Sequence, residues 1–410
     1  MKIIKFISSK ELKWKLRVLK KLYIDYWLFH NYNLRPRGYY PTIKHFLAEQ
    51  ENGEQLYHEI YPATSTDLNI PEHYWEITSP YINKDRVGKE SAKYILEIKN
   101  GRIHTDCFST IAVFAENNNL IGEVSLDLRL EKGKDIGSSR ILKRKYFENI
   151  HYLNGTVFPT IAAGGSYINY YHWLIDSISR IHLLKKSGMF HKVDWFYVPS
   201  IKYDYQIDSL KLLGIPEEKI VESTKHPHIK ADLILAPAYT RGNHYHVLDW
   251  AINFIHDQFP PTDLNKFNNG KYYISRKDSS IRTISNEEEV IELLSQYGFK
   301  TIVLSKLPFQ DKINLFASAE IIISGSGAGL TNLIFCREGT TIIEIFGDKF
   351  IDFIHYYALA AKRKLNYHYF LGKNSREINS MVEGQKDDVM IDIDKFDNLL
   401  STELGLKSGI

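Results

Sequence analysis

Residues 321–344 constrain the fold of this chain more than any other stretch. Ile321–Ile323 is a short β-branched run, which predicts a buried parallel strand. The small residues Ser324–Gly329 follow, and helical spacing resumes at Leu330 before a second apolar run, Thr341–Phe346. A strand, a glycine-rich loop, a helix and a strand make half of a nucleotide-binding βαβ layer, because a bare loop lets backbone N–H groups approach a phosphate. The loop alone is a weak signal, since small residues also follow strands for packing reasons.

Strands and helices alternate on both sides of the proline-marked segment Pro260–Gly270. This alternation, with short connections, indicates two parallel α/β layers joined by a linker. The other predicted strands are Thr156–Ala162, Trp195–Val198, Leu233–Ala236, Tyr272–Ser275 and Lys300–Leu304. The predicted helices are Tyr170–Lys186, Gln206–Leu213, Leu248–Gln258, Asn286–Tyr297, Phe309–Ala319 and Leu330–Cys336.

These patterns divide the chain into five parts, and each layer is long enough to bury a core of its own. We expect a basic amphipathic helix and irregular extension over residues 1–90, a first Rossmann-like layer with a leading β-hairpin over 91–259, a linker over 260–270, a second Rossmann-like layer over 271–372 and a tail with closing helices over 373–410.

Composition excludes several classes of protein. The formal net charge of +3 over 410 residues is too small to indicate a nucleic-acid partner. Cys107 and Cys336 are the only cysteines, which rules out a disulfide framework and a cysteine zinc site. The cysteine content therefore predicts a cytoplasmic protein.

The N-terminal residues 1–25 are basic and amphipathic. Lysines interrupt the apolar residues throughout, so the segment is not a secretory signal, and no stretch of the chain is long enough to span a membrane. Two interpretations remain open. The helix packs on the body and keeps its lysines in water, or it lies on the anionic inner face of the membrane with Trp14 on its apolar side.

Three separate blocks of motifs occur in one order along the chain. They are Asn169–Asp176, then Tyr273–Arg276 with Arg282 and Asn286-Glu287, then Gly325–Asn332 followed by Gly339 and Glu344. Together they resemble glycosyltransferase family 61, in particular its bacterial capsule and lipopolysaccharide branch. Two short segments depart from the family pattern. Gly325-Ser326 stands where members usually carry Pro-His, and Ile178-Ser179-Arg180 stands where they usually carry Leu-Pro-Arg.

The resemblance implies a GT-B architecture, in which two Rossmann-like layers face a cleft. It implies an inverting glycosyltransferase that needs no divalent metal or other cofactor. The donor would be a nucleotide-diphosphate sugar, expected to be uridine-linked, and the acceptor a surface glycan of the capsule, O-antigen or lipopolysaccharide type. Two alternatives stay open: a non-catalytic member that binds glycan or a partner transferase, and a nucleotide-sugar epimerase of the same fold.

His172 and Asp176 are the candidate catalytic residues. Four residues apart on a helix, they share one face near the carboxyl end of a strand, where α/β clefts open. Inversion requires one general base beside the acceptor hydroxyl. Either residue is suited to that task. We favour Asp176 as the base, with His172 orienting it or binding the acceptor.

The remaining candidates divide between donor and acceptor. Guanidinium groups that follow strand ends can bind a diphosphate bidentately. A carboxylate in an apolar strand needs a polar partner, such as a ribose diol. The resemblance places further donor contacts on the glycine-rich loop and acceptor contacts on the first block. The donor candidates are Arg276, Arg282, Ser326, Gly327, Ala328, Gly329, Thr331, Asn332 and Glu344, with Thr331 and Asn332 also expected to cap the following helix. The acceptor candidates are Asn169, Tyr171, Trp173 and Arg180.

No metal site is predicted. Asp392-Ile393-Asp394 is the only D-x-D sequence, and it precedes an apolar helical pattern, so we interpret it as a helix cap. His244 and His246 lack a third ligand in the sequence around them and are interpreted as loop residues.

Overall fold

A computed structural model describes residues 34–65, 71, 74, 89–131, 134–162, 164–241, 247–349, 351, 354–378, 381–384 and 386–408. The basic segment 1–25 and the histidines 244 and 246 lie outside these residues. Within the described ranges, no helix combines the length and apolar character that a membrane crossing requires.

A large mixed sheet forms the first half of the molecule. Its order is β1-β8-β7-β6-β13-β10-β11-β12, with β2 beside β5, β5 beside β13, and β9 beside β7. The strands are β1 Gly38–Tyr40, β2 Tyr57–Tyr61, β5 Lys93–Lys99, β6 Arg102–Thr105, β7 Thr110–Phe114, β8 Asn119–Ile121, β9 Leu126–Asp127, β10 His151–Pro159, β11 Trp195–Val198, β12 Ile220–Glu222 and β13 His228–Pro237; β3 Thr64–Ser65 and β4 Lys89–Glu90 form a separate pair.

This first sheet differs from the predicted parallel layer. β10, β11, β12 and β13 run parallel, but β13 also pairs antiparallel with β5 and β6. The predicted hairpin is therefore part of the same sheet. The extension before residue 90 joins it as well, since β1 pairs with β8 and β2 with β5.

The second sheet confirms the predicted parallel layer. Its order is β15-β14-β16-β17-β18-β19, and the neighbours from β15 to β18 are parallel. Its strands are β14 Gly270–Ile274, β15 Phe299–Ile302, β16 Ala319–Gly325, β17 Thr341–Gly347, β18 Asn366–Asn374 and β19 Val389–Met390. The isoleucines of β16 and β17 are buried on both faces, as expected for a covered parallel sheet.

Helices connect the strands and cover the sheets. The α-helices are Ile43–Ala48, Tyr170–His172, Ser179–Lys186, Asp204–Leu212, Asp249–Gln258, Glu287–Gln296, Phe309–Ser318, Ile354–Lys362, Met381–Gly384 and Ile393–Asn398. A π-helical turn, Trp173–Ile178, joins the second and third of these, and we refer to residues 170–186 as the site helix. A second π-helical turn, Leu399–Glu403, follows the last. The 3₁₀ segments are Gly53–Leu56, Gly122–Val124, Ile136–Ser138, Arg140–Lys143, Gly164–Tyr167, Phe190–Lys192, Glu217–Lys219, Leu304–Lys306 and Ala328–Phe335.

The predicted helix after the glycine-rich loop is present as a 3₁₀ helix, Ala328–Phe335, but its predicted caps were wrong. Thr331 and Asn332 do not cap it, because their side chains donate to the carbonyls of residues 328 and 329. Asn286 occupies the N-cap position of the helix Glu287–Gln296, but its amide bonds to both backbone groups of Ile391 in place of the helix N–H groups.

One hydrophobic core runs through both halves. It contains Phe158 and Leu174 from the first half and Ile274, Leu330 and Leu333 from the second. The α/β class is thus confirmed, while the GT-B arrangement and the domain boundaries stay predictions.

Candidate active site

Both sheets have a point where the chain reverses its direction of winding. In the first sheet the chain proceeds from β10 to β11 and β12, then returns to place β13 on the other side of β10. In the second it proceeds from β14 to β15, then returns to place β16 on the other side of β14. Ligands of open α/β sheets bind outside the carboxyl ends of strands at such switch points. The residues that follow β10, β13, β14 and β16 are therefore the candidates for a ligand-binding site.

The site helix follows β10 and contains the π-helical turn. Such turns leave carbonyl groups without their usual helical partners, and they occur frequently at functional sites. Side chains bond the freed carbonyls here: the Ser179 hydroxyl and Thr240 Oγ1 (3.0 Å) donate to the carbonyl of Ile175, and Arg180 Nε donates to that of Asp176 (2.9 Å). The turn that presents Asp176 is thereby fixed by residues of its own helix and of the segment after β13.

His172, Asp176 and Arg241 form one cluster at the first switch point. His172 Nδ1 lies 2.8 Å from Asp176 Oδ2, and Arg241, which follows β13, donates to both carboxylate oxygens of Asp176. Arg241 Nη2 lies 2.5 Å from His172 Nδ1 as well. That nitrogen can donate to Asp176 or accept from Arg241, but not both. Since Arg241 already donates to both oxygens, we assign the Nδ1 proton to the bond with Asp176.

This assignment separates the chemical capacities of the two candidates. Burial alone would raise the pKa of the Asp176 carboxyl, but the charge of Arg241 and the bonds from His172 and Arg241 hold that pKa well below its usual range. A carboxylate in this environment orients a neighbour better than it takes up a proton. His172 Nε2 hydrogen-bonds to no described residue, and the His172 side chain is 31% exposed. Nε2 is thus the basic atom of the cluster that can reach a bound molecule.

Arg276 lies against the glycine-rich loop at the second switch point. Its Nε donates to the carbonyl of Arg282 (2.9 Å), and its Nη2 to Ser279 Oγ (3.1 Å) and the carbonyl of Ile281 (3.0 Å). Nη1 is left facing the loop, and a Cβ added at Gly327 would lie 1.8 Å from it. Burial lowers the pKa of Arg276 to about 10, so the group stays charged at neutral pH. A side chain at position 327 would therefore have to displace the guanidinium that rests on this glycine.

The other donor candidates occupy two kinds of position. Arg282 has a left-handed backbone (φ 54°) beside Arg276, and its buried Nε has no partner among the described residues. Ser326, Ala328 and Gly329 lie on the partly exposed loop. Glu344, by contrast, is fully buried, and its Oε2 accepts a hydrogen bond from Tyr367 (2.6 Å).

Tyrosines of the site helix join the two switch points. Tyr170 donates to Asn332 Oδ1 (2.7 Å), which holds the buried Asn332 against the first half. The Tyr171 hydroxyl lies 3.2 Å from His355 Nδ1, while the Tyr171 ring lies 5.2 Å from the Arg241 guanidinium carbon. Burial raises the pKa of the Tyr356 hydroxyl, and the nearby charge of Arg276 opposes that rise. The Tyr356 ring lies 6.0 Å from that of Tyr171. The two clusters are consequently separated by only a few side chains.

The acceptor candidates include residues with clear structural tasks. Asn169 caps the site helix, because its Oδ1 accepts from the backbone N–H groups of Tyr171 (2.9 Å) and His172 (3.4 Å). Trp173 is fully buried and donates to Ser209 Oγ (2.9 Å). Tyr171 and Arg180 contact the His172–Asp176–Arg241 cluster, as described above. Asn169 and Trp173 therefore position the helix.

Arg241, His355 and Tyr356 were missed in the sequence. Arg241 lies four residues after the end of β13, and its place in the loop that follows a strand was the available signal. Nothing near His355 and Tyr356 in the sequence indicates that their helix faces Tyr171 across the two sheets. Both contacts arise from tertiary packing alone.

The D-x-D sequence is a helix cap, as predicted. Asp392 Oδ1 accepts from the N–H group of Lys395 (3.2 Å) at the start of the helix Ile393–Asn398. Among the described residues, no group of three or more His, Cys, Asp or Glu side chains is arranged to hold a metal ion.

A comparison with protein families matches part of the chain. The family model described as Glycosyltransferase 61 matches residues 170–343. This segment begins at the first residue of the site helix and ends within β17, so it contains the switch-point residues His172, Asp176, Arg241, Arg276 and Gly327. No curated protein matches the chain.

Proposed function

Because the chain belongs to glycosyltransferase family 61 and is a glycosyltransferase, we propose that it uses a uridine-linked nucleotide-diphosphate sugar and inverts its anomeric carbon. The acceptor is a surface glycan of the capsule, O-antigen or lipopolysaccharide type. The observation that carries the proposal is the pairing of a His–Asp–Arg cluster with a partly buried arginine that rests against a glycine-rich loop, each at a switch point of its own sheet.

His172 is the base in this proposal. Its Nε2 takes the proton of the acceptor hydroxyl while that oxygen attacks the anomeric carbon and the bond to the diphosphate breaks. Asp176 holds the imidazole by its Nδ1–H and offsets the charge that develops on the ring, and Arg241 fixes Asp176. The low pKa of Asp176 is the reason for assigning the proton to His172 and not to the carboxylate.

The second switch point receives the leaving diphosphate. Arg276 Nη1, Arg282 and the loop N–H groups place fixed positive charge where the leaving oxygen becomes negative. The partly exposed Ser326 hydroxyl is available to donate to the same phosphates, in the position where the family usually carries histidine. These groups supply the charge that a divalent ion provides in other transferases, which supports a reaction without metal.

The location of the protein is part of the proposal. The lysine-rich residues 1–25 support a cytoplasmic protein held at the inner face of the membrane, where lipid-linked acceptors lie.

The first test is turnover and binding of a panel of nucleotide sugars, with and without EDTA. We expect one donor to be hydrolysed slowly in EDTA, and its transfer product to have the inverted configuration by NMR. In His172→Gln, turnover falls at least about 100-fold while the donor Kd is unchanged, since general-base catalysis contributes about that much. The exposed His191→Gln is the matched control.

Several results would contradict the proposal. Activity that EDTA removes and a divalent ion restores would overturn metal independence. Turnover retained in His172→Gln but lost in Asp176→Asn would return the role of base to the carboxylate. A folded protein that binds no donor would indicate a non-catalytic member, and epimerised donor without transfer would indicate the epimerase.

Donor binding is tested by a double-mutant cycle on Gly327 and Arg276. We expect Gly327→Ala to weaken donor binding at least tenfold, a difference of about 1.4 kcal/mol, because its Cβ displaces the guanidinium. In an Arg276→Ala background the same change should have little further effect, since the clashing group is gone. Exposed Arg337→Ala controls for loss of charge. Additive effects of the two changes would show that Arg276 does not act through the loop.

A further inference from the structure

Arg180 is a buried cation that uses few of its hydrogen-bond donors. The residue is 5% exposed, and its Nε donates to the carbonyl of Asp176 (2.9 Å). Nη1 and Nη2 hydrogen-bond to no described residue, and no described carboxylate forms an ion pair with the group. A buried charge without acceptors is unfavourable, and a guanidinium fork matches carboxylate and phosphate oxygens. Arg180 therefore has unused hydrogen-bond donors that suit an anionic oxygen, close to the His172–Asp176–Arg241 cluster.

Two tyrosines surround the guanidinium. The Tyr239 ring centroid lies 5.5 Å from the Arg180 guanidinium carbon, and the Tyr239 hydroxyl is buried without a partner among the described residues. Burial raises the pKa of Tyr94, and the charge of Arg180 opposes that rise. Burial raises the pKa of Tyr239 as well, so both hydroxyls are protonated at neutral pH. Tyr239 therefore offers a second unused donor beside Arg180.

The same tyrosines line a cavity of about 870 Å³ between the first sheet and the elements before residue 60. Tyr57 adds a third ring, and Lys44, Glu54 and Glu123 add charged groups. Aromatic rings pack on the apolar faces of sugars, and carboxylates accept from sugar hydroxyls. The cavity is within the size range of ligand pockets.

Tyr239 places this cavity beside the chemistry. It lies two residues before Arg241, which corresponds to at most about 7 Å of extended chain. That span is close to the size of one sugar ring. Arg180 and the His172 cluster do not line the cavity themselves, so a glycan held there would reach His172 by extending about one sugar past Tyr239.

We propose that the acceptor is an acidic glycan, that its sugars occupy the tyrosine-lined cavity, and that a carboxylate or phosphate on it binds Arg180 and the Tyr239 hydroxyl. This inference rests on the proposed function and specifies its acceptor. Glu54 and Glu123 bind sugar hydroxyls, and Glu123 already accepts a bond from the N–H group of Ile43 (2.5 Å). Arg180 is then the group that distinguishes an acidic acceptor from a neutral one of the same shape.

The test compares three oligosaccharides of equal length with the donor found above. They are one containing uronic acid, its carboxyl-reduced neutral counterpart, and that neutral oligosaccharide with a phosphate monoester. We expect kcat/KM for one of the two acidic compounds to exceed that of the neutral one by about tenfold or more. Which of the two is preferred identifies the anion as carboxylate or phosphate.

Variants assign the preference to its residues. Arg180→Gln should raise KM for the acidic acceptor and abolish the preference, and exposed Arg140→Gln should retain it. If Arg180→Gln does not fold, Tyr239→Phe decides, because it removes only a hydroxyl and should reduce the preference several-fold.

The inference is overturned if the neutral compound is used as well as both acidic ones, or if the preference survives in the deciding variant. Failure of the proposed function is a separate result: no donor is turned over with any acceptor or with water. In that case calorimetric binding of the same three oligosaccharides still decides whether Arg180 selects an anion. Equal binding of all three, or no binding, would overturn it.

Discussion

Buried charges around the site are each held by specific neighbours. Asp176 stays ionised because Arg241 donates to both of its oxygens. Arg276 stays charged because carbonyl and hydroxyl oxygens accept its hydrogen bonds, although it forms no ion pair with a described carboxylate. Removing these charges from water costs folding free energy, and groups with perturbed pKa values cluster at functional sites.

A second buried cluster, at β6 and β13, gives a test of stability against pH. His228 Nδ1 lies 2.7 Å from the carbonyl of Glu148, and its Nε2 lies 3.2 Å from Arg102 Nη1. A carbonyl can only accept and a guanidinium can only donate, so the imidazole is neutral with its proton on Nδ1. Burial lowers the pKa of His228 to about 3.

We expect the free energy of unfolding to fall as pH drops from 6.5 towards 3. In that window the unfolded chain binds a proton at His228 and the folded chain does not, so acid favours unfolding. At pH 5 the loss from this residue is about 2 kcal/mol. Urea unfolding at pH 7.5 and pH 5 measures it. His228→Gln should show a smaller difference between the two pH values, and exposed His191→Gln the wild-type difference. An unchanged difference in His228→Gln would refute the assignment.

At the scale of elements, the π-helical turn is the part of the site helix that sequence could not predict. The apolar spacing of residues 170–186 correctly predicts a helix. An extra residue in one turn leaves that spacing nearly unchanged. One of the groups that fix the turn is the Thr240 hydroxyl, which is 65 residues from its acceptor Ile175. The same distance along the chain hid Arg241 as a partner of Asp176.

Thr240→Val tests whether that hydroxyl positions the catalytic residues. We expect kcat to fall with little change in donor Kd, and stability to fall by about 1 kcal/mol, because a buried carbonyl loses a hydrogen bond. Thr240→Ser keeps the hydroxyl and should keep most of the activity. Activity retained in Thr240→Val but lost in Thr240→Ser would mean that packing of the threonine methyl, and not the bond, holds the turn.

At the scale of the whole molecule, local patterns predicted the strands better than their pairing. Ile321–Ile323 and Thr341–Phe346 lie in parallel strands because buried β-branched runs identify such strands directly. The pairing of β13 with β5 could not be read in this way, since it joins residues more than 130 positions apart. The glycine-rich loop could be identified in the sequence because its small residues are consecutive. Its contact with Arg276 could not, because the two segments meet only in the assembled second sheet.

The continuous core predicts that the two halves unfold together. We expect a single calorimetric transition, because the site helix and the segment after β16 share buried side chains and the bond from Tyr170 to Asn332. Tyr170→Phe should lower the transition temperature without splitting the peak, since one hydrogen bond of about 1 kcal/mol is lost. Two resolved transitions in the wild type would show that the halves are independent.

Strand β13 has a consequence for how the protein is made. It is the central strand that joins β10 to β5 and β6, and it ends at Pro237. When the ribosome reaches that codon, more than half of the chain has been synthesised, but without β13 the strands of the first sheet form three unjoined groups with open edges. Open strand edges promote aggregation. Nascent chains halted before residue 237 should therefore bind chaperones more strongly than chains halted well beyond it, once the ribosomal tunnel has released β13.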